Sequence, residues 1–574
     1  MFRQLARRAT RPAVPVTESL ETRALLATIT VTSIADEVVD DGAVTLREAI
    51  LAANSDQSVD GSTAGDGADT IVFDASLNGQ VIQTTGDLPG ITESLTVQGN
   101  GRELTRIRGN RGHQGFISLV DNVDLKFEDA SIYHFQTAIR NDGRDGSTEV
   151  LGTRLARNRV ALEGRSDLRV VNSDIVNNTR ETRFNDGIGI VFRGSSNRRI
   201  QVEVIRSNVS ENTSSSARLD GAGMFVAYAD VRIDSSAFIN NVIAGSGAAI
   251  YAFESTVEVN NSTFSGNEAR FGGGIYLPRS SGQVNQSTLV NNVPNAVGLG
   301  SSEFATENSV YSRNQSTGGT RTDIEVLSSA TVTASYSSIS SNRRSGLTAN
   351  AGVPDANGNM IGTSSAPIEP LLFALGDNGG PTESRLPQPT SPLIDAGAPT
   401  EALFDQRGQA FSRVAGTGVD IGAVEFSDVR FRVTPFRTTV NEADASTVTI
   451  EVRLDSDVGS AFDLTVTGDA GTATAGSDFT VSNETLSFAG TAGETKQFDV
   501  TILDDTEFET DEDIRFGYAI SLADTVIGAS PAFITITSDE TTGLGFNDGT
   551  IIAGGSEVGD VLSLTTSGEN VSRT

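Results

Sequence analysis

The acidic side chains of this sequence suggest its clearest chemistry. Residues 428–540 contain 22 acidic and 6 basic side chains, a net charge of −16. Many of these acids lie just before or just after strand-like runs: Glu442, Asp478, Asp504, Asp505, Glu509, Asp539 and Glu540. Two antiparallel strands separate Glu509 from Asp539, so we expect the chain to return to the same end. Carboxylates gathered there repel one another without a cation. Ca²⁺ takes about 6–8 oxygen ligands from mobile loops, whereas Mg²⁺ requires stricter geometry, so the sequence favours calcium.

Composition excludes several other kinds of chemistry. The 574 residues include no cysteine, which removes disulfides, Cys-zinc sites and thiol nucleophiles. The two histidines, His113 and His134, leave little for zinc or triad chemistry, although their separation of 21 residues suggests that they stack. A formal net charge of −32 argues against nonspecific nucleic-acid binding, which rests on basic groups that neutralise phosphates. No apolar run is long enough to span a membrane.

Alternating apolar residues define the elements that position the acids. In Thr447–Leu454 the residues Val448, Ile450, Val452 and Leu454 alternate with polar partners, as in a half-buried strand. About seven such runs separated by turn residues predict an antiparallel β-sandwich.

This segment resembles the Calx-beta domain, the calcium-binding sandwich of sodium–calcium exchangers and of many bacterial surface proteins. The motifs that carry the resemblance are Val440-Asn441-Glu442, Ala475–Phe479, Ile502–Asp505, Phe508-Glu509 and Ile534–Glu540. The resemblance implies a domain over 428–541, with calcium ligands at Glu442, Asp478, Asp504, Asp505, Glu509, Asp539 and Glu540. Ser538 stands where a third terminal aspartate is common, which implies that one ion site is weak or absent.

The middle of the chain repeats a small unit. Small polar residues precede one apolar residue, and asparagine follows three positions later. The apolar residues recur 20 to 34 positions apart: Ile132, Leu155, Ile175, Val209, Phe238, Phe264, Leu289, Tyr311 and Ile339. The matching asparagines are Asn158, Asn178, Asn212, Asn241, Asn267, Asn292, Asn314 and Asn342, and Phe135 replaces the first of the series. Short strand-like runs without a helical pattern predict a parallel β-helix with an internal asparagine ladder.

Residues 65–345 resemble right-handed parallel β-helix proteins, a fold that includes polysaccharide lyases, hydrolases and adhesins. The fold alone therefore does not select a function. Asp220, Asp230 and Asp234 lie near one coil, and Asn185-Asp186-Gly187 is foremost a turn signal. Several arginines are candidates to meet an acidic glycan, although solvated surface charge is the simpler interpretation: Arg154, Arg157, Arg159 and Arg183.

The amino-terminal residues predict a leader and a cap. Residues 1–27 combine a basic run with Leu25-Leu26-Ala27, which predicts a leader or a disordered tail. In 28–64, Leu46, Ile50 and Ala53 follow the spacing of a short helix with one buried face. The segment Leu46–Ile50 resembles the Leu-Arg-Glu-Ala-Ile motif that precedes β-helices in bacterial surface proteins.

A different pattern follows the repeat. Residues 346–426 resemble the choice-of-anchor segment of bacterial extracellular proteins. The motifs are Asp377–Thr382, Ser391–Gly397, Asp405–Gly408 and Asp420–Glu425, and the simplest interpretation is a cap on the last coil with a buried Asp395–Arg407 pair. Residues 542–574 form a Gly/Ser/Thr-rich tail.

The sequence therefore predicts an all-β protein, a parallel β-helix followed by an immunoglobulin-like Calx-beta sandwich. We expect a calcium-binding, non-enzymatic structural or adhesion protein that is secreted or on a bacterial cell surface. Its expected partners are calcium and cell-surface glycans or other surface proteins, without nucleic acid. The alternative is a polysaccharide lyase or glycan-binding protein that acts through the β-helix face.

Overall fold

The computed structural model describes most of the chain between residues 27 and 553. The described ranges are 27–181, 187–316, 318–409, 411–415, 418–427, 429–435, 437–455, 458, 461–468, 471–482, 485–504, 511–522, 527–529, 533–537, 544–547 and 550–553. The protein is nearly all β, with a parallel β-solenoid of about 11 turns followed by antiparallel sheets. Within the described ranges, no helix is both long and apolar enough to cross a membrane.

Three parallel sheets form the solenoid, and each coil adds one strand to a sheet. Sheet A consists of Thr28–Val31, Asp69–Phe73, Leu95–Gln98, Leu125–Glu128, Ser147–Leu151, Asp167–Val171, Ile200–Ile205, Ala229–Asp234, Thr256–Asn260, Ser281–Asn285, Glu303–Glu307 and Thr331–Ser335. Sheet B consists of Val81–Gln83, Arg106–Arg108, Ser131–Tyr133, Arg154–Ala156, Asp174–Val176, Asn208–Ser210, Ala237–Ile239, Thr263–Ser265, Thr288–Val290, Val310–Ser312, Ser338–Ile339 and Met360–Ile361. Sheet C consists of Gln114–Ser118, Thr137–Asn141, Val160–Gly164, Ile190–Arg193, Met224–Ala227, Ile250–Phe253, Ile275–Pro278, Val297–Gly300 and Ile324–Val326. A two-stranded pair, Thr213–Ser214 with Val242–Ile243, lies beside them.

The repeated apolar residues of the sequence form the inner row of sheet B. Ile132, Leu155 and Ile175 pair in register on consecutive coils, and all three are fully buried. The same row continues to Ile339 and belongs to one core that runs through the solenoid. This observation confirms the predicted stacking of one apolar side chain per coil.

The predicted asparagine ladder is also present. The Nδ2 of Asn178 donates to the Oδ1 of Asn212 (2.9 Å), and the pattern repeats on each coil to Asn314. Each Oδ1 also accepts the backbone N–H of the preceding asparagine. A second ladder, of serine hydroxyls, runs beside it. For example, the Oγ of Ser236 accepts from the N–H of Ser207 (3.2 Å), and the N–H of Ser236 donates to the Oγ of Ser262 (3.1 Å).

The expectation that Asn342 forms the last rung is wrong. The Nδ2 of Asn314 instead donates to the carboxylate of Asp323 (2.8 Å), while the Nδ2 of Asn342 donates locally to the carbonyl of Leu347. Asp323 is fully buried and also accepts the N–H of Ser341 (2.7 Å). Asp323 ends the ladder, because its carboxyl oxygen accepts from Asn314 in the place of the amide oxygen of a further asparagine.

In the described part of the chain, one α-helix, Leu46–Ser55, precedes the first complete coil. Thr45 and Glu48 form a capping box at its start, which satisfies backbone donors that have no partner within the helix. Leu46, Ile50 and Ala53 are buried in the solenoid core, as the helical spacing predicted. A 3₁₀ turn, Ala75–Leu77, follows the second strand of sheet A.

The segment after the solenoid turns back along the outer face of sheet B. Leu393 and Ile421 pack against Val290, Val310 and Met360 in a second, smaller core. The Oγ1 of Thr263 donates to the Oε1 of Gln406, and further hydrogen bonds join the segment to other strands of sheet B. The segment therefore covers the side of several coils, rather than only the last coil as the sequence suggested.

The predicted buried pair of Asp395 and Arg407 is wrong. Arg407 pairs with Asp405 (2.6 Å), and both side chains are buried, whereas Asp395 is exposed. A carboxylate two residues away reaches the same guanidinium within one tight turn, where Asp405 also accepts the N–H of Arg407 (2.8 Å).

Two five-stranded sheets enclose the core of the carboxy-terminal sandwich. Sheet D has the order Phe479–Ser482, Thr495–Ile502, Thr447–Leu454, Val429–Thr434 and Ile527–Ala529. Sheet E has the order Arg437–Asn441, Phe533–Thr537, Glu512–Ile520, Phe462–Gly468 and Thr485–Phe488. A 3₁₀ turn covers Glu442–Asp444, and a hairpin joins Leu544–Asn547 to Thr550–Ala553.

Candidate functional site

Three acid-bearing segments meet at one end of the sandwich. Asp478 immediately precedes a strand whose first residue, Phe479, pairs with Ile502. The N–H of Leu503 donates to the carbonyl of Asp478 (2.8 Å), and the N–H of Ile502 donates to the carbonyl of Ser446 (2.9 Å). The register thus brings the backbone that carries Asp478 and Asp504 beside the turn that follows Glu442.

Two of these acids are buried, and one is exposed. Glu442 is 3% exposed and Asp478 is 4% exposed, whereas Asp504 faces solvent. The carboxylate of Asp478 accepts the N–H of Thr474. In the part of the sandwich that the structure describes, no arginine or lysine pairs with it. Burial of a charged carboxylate is unfavourable unless charge or hydrogen bonds compensate it, so a cation would stabilise this position.

The other four predicted ligands, Asp505, Glu509, Asp539 and Glu540, lie outside the described residues. The strand that leads to Asp539 ends at Thr537, which pairs in parallel with Asn441. The described end of this strand therefore lies beside Glu442. Among the described residues, no group of three or more His, Asp or Glu side chains is placed to hold a metal ion.

Comparison with known proteins identifies the sandwich. Residues 427–540 match the Calx-beta domain family. The apo-form of the Calx CBD1 domain is 24% identical, with 20% of this chain and 98% of that chain aligned and a TM-score of 0.18. The calcium binding domain CBD12 of CALX1.1 is 25% identical, with 20% of this chain and 45% of that chain aligned and a TM-score of 0.18. No curated protein matches the chain.

The described residues of the Calx-beta domain fit a calcium ion in their donor chemistry. Glu442, Asp478 and Asp504 offer carboxylate oxygens, which are the ligands that this hard cation prefers. Asn441 fixes the entry to the Glu442 turn, because its Oδ1 accepts the N–H of Ala443 (3.1 Å). The sequence placed these acids at strand ends, and their assignment as ligands followed from the resemblance to the Calx-beta family.

The solenoid acids singled out in the sequence have partners of their own. Asp230 pairs with Arg199 (2.6 Å), whose hydrogen bond lowers the pKa of that carboxyl. Asp234 pairs with Arg232 (3.1 Å), and the carboxylate of Asp220 accepts the N–H of Ser246 (2.6 Å). These contacts fix the positions of the three acids. Asn185, Asp186 and Arg183 lie outside the described residues.

The two histidines have separate surroundings. The Nε2 of His113 lies 2.9 Å from the Nδ2 of Asn110, whereas His134 accepts from the Nε of Arg108 (3.3 Å). Burial and three nearby arginines, Arg108, Arg111 and Arg157, lower the pKa of His134. This clustering of cations was not evident from the sequence. The coils differ in length, so the sequence does not show which residues of neighbouring coils lie side by side.

A network of buried charges lies within the segment that follows the solenoid. Arg413 and Glu425 are fully buried and lie 3.5 Å apart, next to the Asp405–Arg407 pair. Burial raises the pKa of Glu425 to about 9 and that of Asp420 to about 6. The Oδ2 of Asp420 accepts the N–H of Phe426 (2.6 Å), and the Oδ2 of Asp405 accepts that of Glu425 (3.0 Å). These bonds hold a loop in place, so we interpret the network as structural.

Proposed function

We propose that this protein is a calcium-binding, non-enzymatic protein of the bacterial cell surface or the extracellular medium, with a structural or adhesive role. The observation that supports calcium binding is the Calx-beta match over 427–540, together with the buried acids Glu442 and Asp478 at one end of that domain. A related solved structure is described as a calcium binding domain, which supports the same chemistry here.

The proposed ligands are Glu442, Asp478, Asp504, Asp505, Glu509, Asp539 and Glu540. Of these, Glu442, Asp478 and Asp504 are described, and they lie at this end of the domain. Calcium would supply positive charge that the domain lacks, because the domain holds 22 acidic and 6 basic residues. It would bind the folded domain and stabilise it by mass action.

The solenoid fits the part of a rigid spacer. Its coils stack by parallel strand pairing about 4.8 Å apart, so about 11 turns extend for roughly 50 Å. Continuous apolar, asparagine and serine ladders resist bending between coils. Such a body would hold the calcium-binding domain away from an attachment point, which supports the proposed adhesive role.

Thermal unfolding of the full chain tests calcium binding. With calcium at about 100 times Kd, the domain gains about 2.7 kcal/mol, and its melting transition should rise by several degrees above that in chelator. Asp478→Asn keeps the size of the side chain but removes the charge, so it should remove most of this rise. Glu442→Gln should act in the same direction.

A matched control is Asp463→Asn at the other end of the same sandwich. Asp463 is exposed, accepts from the Oγ of Ser487 (2.6 Å), and its carbonyl accepts the N–H of Ser521 (2.9 Å). This variant should keep the full calcium-dependent rise. Equal melting of the wild-type chain in calcium and in chelator would refute calcium binding at this domain.

The non-enzymatic part of the proposal has its own test. The wild-type chain is incubated with polygalacturonate and calcium, and ultraviolet absorbance is followed for the unsaturated sugar that a lyase produces. We expect no increase above a heat-inactivated sample. A sustained increase would favour the lyase alternative and leave the calcium result unaffected.

A further inference from the structure

The outer face of sheet B is divided into a covered part and an uncovered part. The segment after the solenoid forms hydrogen bonds with this face from Asn208 onward. Further bonds join Ser265 to Arg385 and Asn308 to Ala398. Strands Arg106–Arg108, Ser131–Tyr133 and Arg154–Ala156 precede this region, and the described contacts of the segment do not reach them.

The uncovered part carries five arginines, which we call the arginine face: Arg106, Arg108, Arg111, Arg154 and Arg157. Arg106 pairs with Ser131, which pairs with Arg154 on the next coil. Since neighbouring strands lie about 4.8 Å apart, these two arginines stand about 10 Å apart along the solenoid. Arg157 follows Ala156, the register partner of Tyr133, and so lies one coil beyond His134.

Carboxylates compensate the positive charge of this face only in part. In the described residues, Arg106, Arg108, Arg111 and Arg157 form no ion pair within 4.0 Å. Arg154 lies 4.0 Å from Glu103, whose side chain is 76% exposed, so this contact is weak. Arg102 is different, because it pairs with Asp174 (2.9 Å) at the border of the face. The surplus of positive charge occurs in a chain with a net charge of −32.

Part of the arginine face, around Arg106, Arg154 and Arg157, is concave. A shallow depression of about 190 Å³ is lined by Glu103, Arg106, Ser131, Tyr133, Arg154, Ala156 and Arg157. Tyr133 is half-buried and meets the His134 ring edge-on at 5.3 Å, which holds its ring in place. The depression therefore combines guanidinium groups with a phenol, and guanidinium groups match carboxylates in a bidentate geometry.

We propose that the arginine face binds an acidic polysaccharide, with Arg106, Arg108, Arg154 and Arg157 contacting the carboxylates of its sugars. A nucleic acid fits this surface less well. Duplex DNA carries one charge per roughly 1.7 Å, so a protein of net charge −32 repels it more strongly than it repels a sparsely charged glycan. Single strands are commonly bound by several stacked aromatic platforms, whereas the depression has one tyrosine.

The test measures binding of the full chain to immobilised polygalacturonate by interferometry, in chelator and at low salt. The variant is Arg108→Gln with Arg157→Gln, which removes two charges from exposed positions. The control is Arg169→Gln with Arg232→Gln, which removes the same charge from the exposed side of sheet A. We expect the variant to lose at least about tenfold in affinity and the control less than about twofold.

Four further measurements decide the proposal: circular dichroism, binding at raised salt, binding to neutral dextran and binding to a single-stranded oligonucleotide. Circular dichroism should show that both double variants keep the wild-type fold, and raised salt should weaken wild-type binding. Equal losses in variant and control, or equal binding to neutral dextran, would overturn the proposal. Tighter binding of a single-stranded oligonucleotide than of polygalacturonate would assign the face to nucleic acid instead. Because chelator is present throughout, these outcomes are independent of calcium binding by the sandwich.

Discussion

Asp323 shows how one residue completes a structure that repeats over many coils. The ladder amides donate toward the later coils, and the Oδ1 of Asp323 accepts from the last of them. Full burial raises the pKa of Asp323 to about 7, above its ordinary 3.8. The carboxyl of Asp323 therefore binds a proton more tightly in the folded state than in the unfolded state. The contribution of Asp323 to stability is greatest below about pH 4 and falls as pH rises toward 7.

Asp323→Asn should change the pH dependence of unfolding. The pKa of Asp323 is about 7 in the folded state, against the ordinary 3.8 expected in the unfolded state. This difference corresponds to at most about 4 kcal/mol of stability, which the wild type loses between pH 4 and 8. Asparagine does not titrate, so only the wild type loses stability at this position as pH rises. The free energy of unfolding of the wild type, relative to that of the variant, should therefore fall with rising pH. Denaturant unfolding at several pH values measures it. Glu425 and Asp420 titrate equally in both proteins and cancel, and a difference between the two proteins that does not vary with pH would contradict the raised pKa.

At the scale of elements, the ladders connect one coil to the next. Asn241 accepts from both the backbone N–H and the Nδ2 of Asn212, and its own Nδ2 donates to Val209 and Asn267. Asn241→Ala leaves buried donors without acceptors, which should lower the free energy of unfolding by at least about 2 kcal/mol. Denaturant unfolding followed by far-ultraviolet circular dichroism measures this loss.

Two comparisons separate the ladder from general effects of substitution. Ser236→Ala removes one acceptor, that of the Ser207 N–H, and should have a smaller effect of about 1 kcal/mol. Asn197→Ala changes an exposed turn residue and should stay within about 0.5 kcal/mol. If all three variants have the same free energy of unfolding, the asparagine hydrogen bonds do not contribute to stability as proposed.

The sequence predicted those elements whose residues repeat. An inward apolar residue such as Phe238 and a rung such as Asn241 must recur on each coil, because each packs against its own equivalent. The ends of the ladder could not be predicted, since Asp323 reaches its position from another part of the coil. In the sandwich, alternation placed Glu442, Asp478 and Asp504 at strand ends, and their roles as ligands remain predictions.

At the scale of the whole molecule, the least predictable feature is the path of the segment after the solenoid. Its contacts with sheet B join residues that are distant in the sequence, such as Thr263 and Gln406, which are 143 positions apart, and they follow no period. The residues of the strands beneath this segment do indicate where it lies. In one outward row of sheet B, the residues change from Arg106 and Arg154 on the early coils to Val310 and Met360 on the late coils. Such a change along one row marks where an outer layer begins.

This division predicts that the covering segment can be loosened without melting the first coils. Leu393 is fully buried in the small core between the segment and sheet B, so Leu393→Ala should cost about 2–5 kcal/mol locally. Amide hydrogen exchange should then accelerate in residues 391–397 and in strands Thr288–Val290 and Val310–Ser312. Strand Arg106–Arg108, which the described contacts of the segment do not reach, should exchange at its wild-type rate.

Leu403→Ala in the same segment provides the matched control, because Leu403 is 65% exposed and its loss should leave exchange unchanged. Uniform acceleration over all coils in the Leu393→Ala variant would mean that segment and solenoid unfold as one unit. Stability in a solenoid is approximately a sum over neighbouring coils, so a loss confined to the covered coils is the expected behaviour. The arginine face lies on the coils that should stay protected, and its glycan binding should therefore survive this substitution.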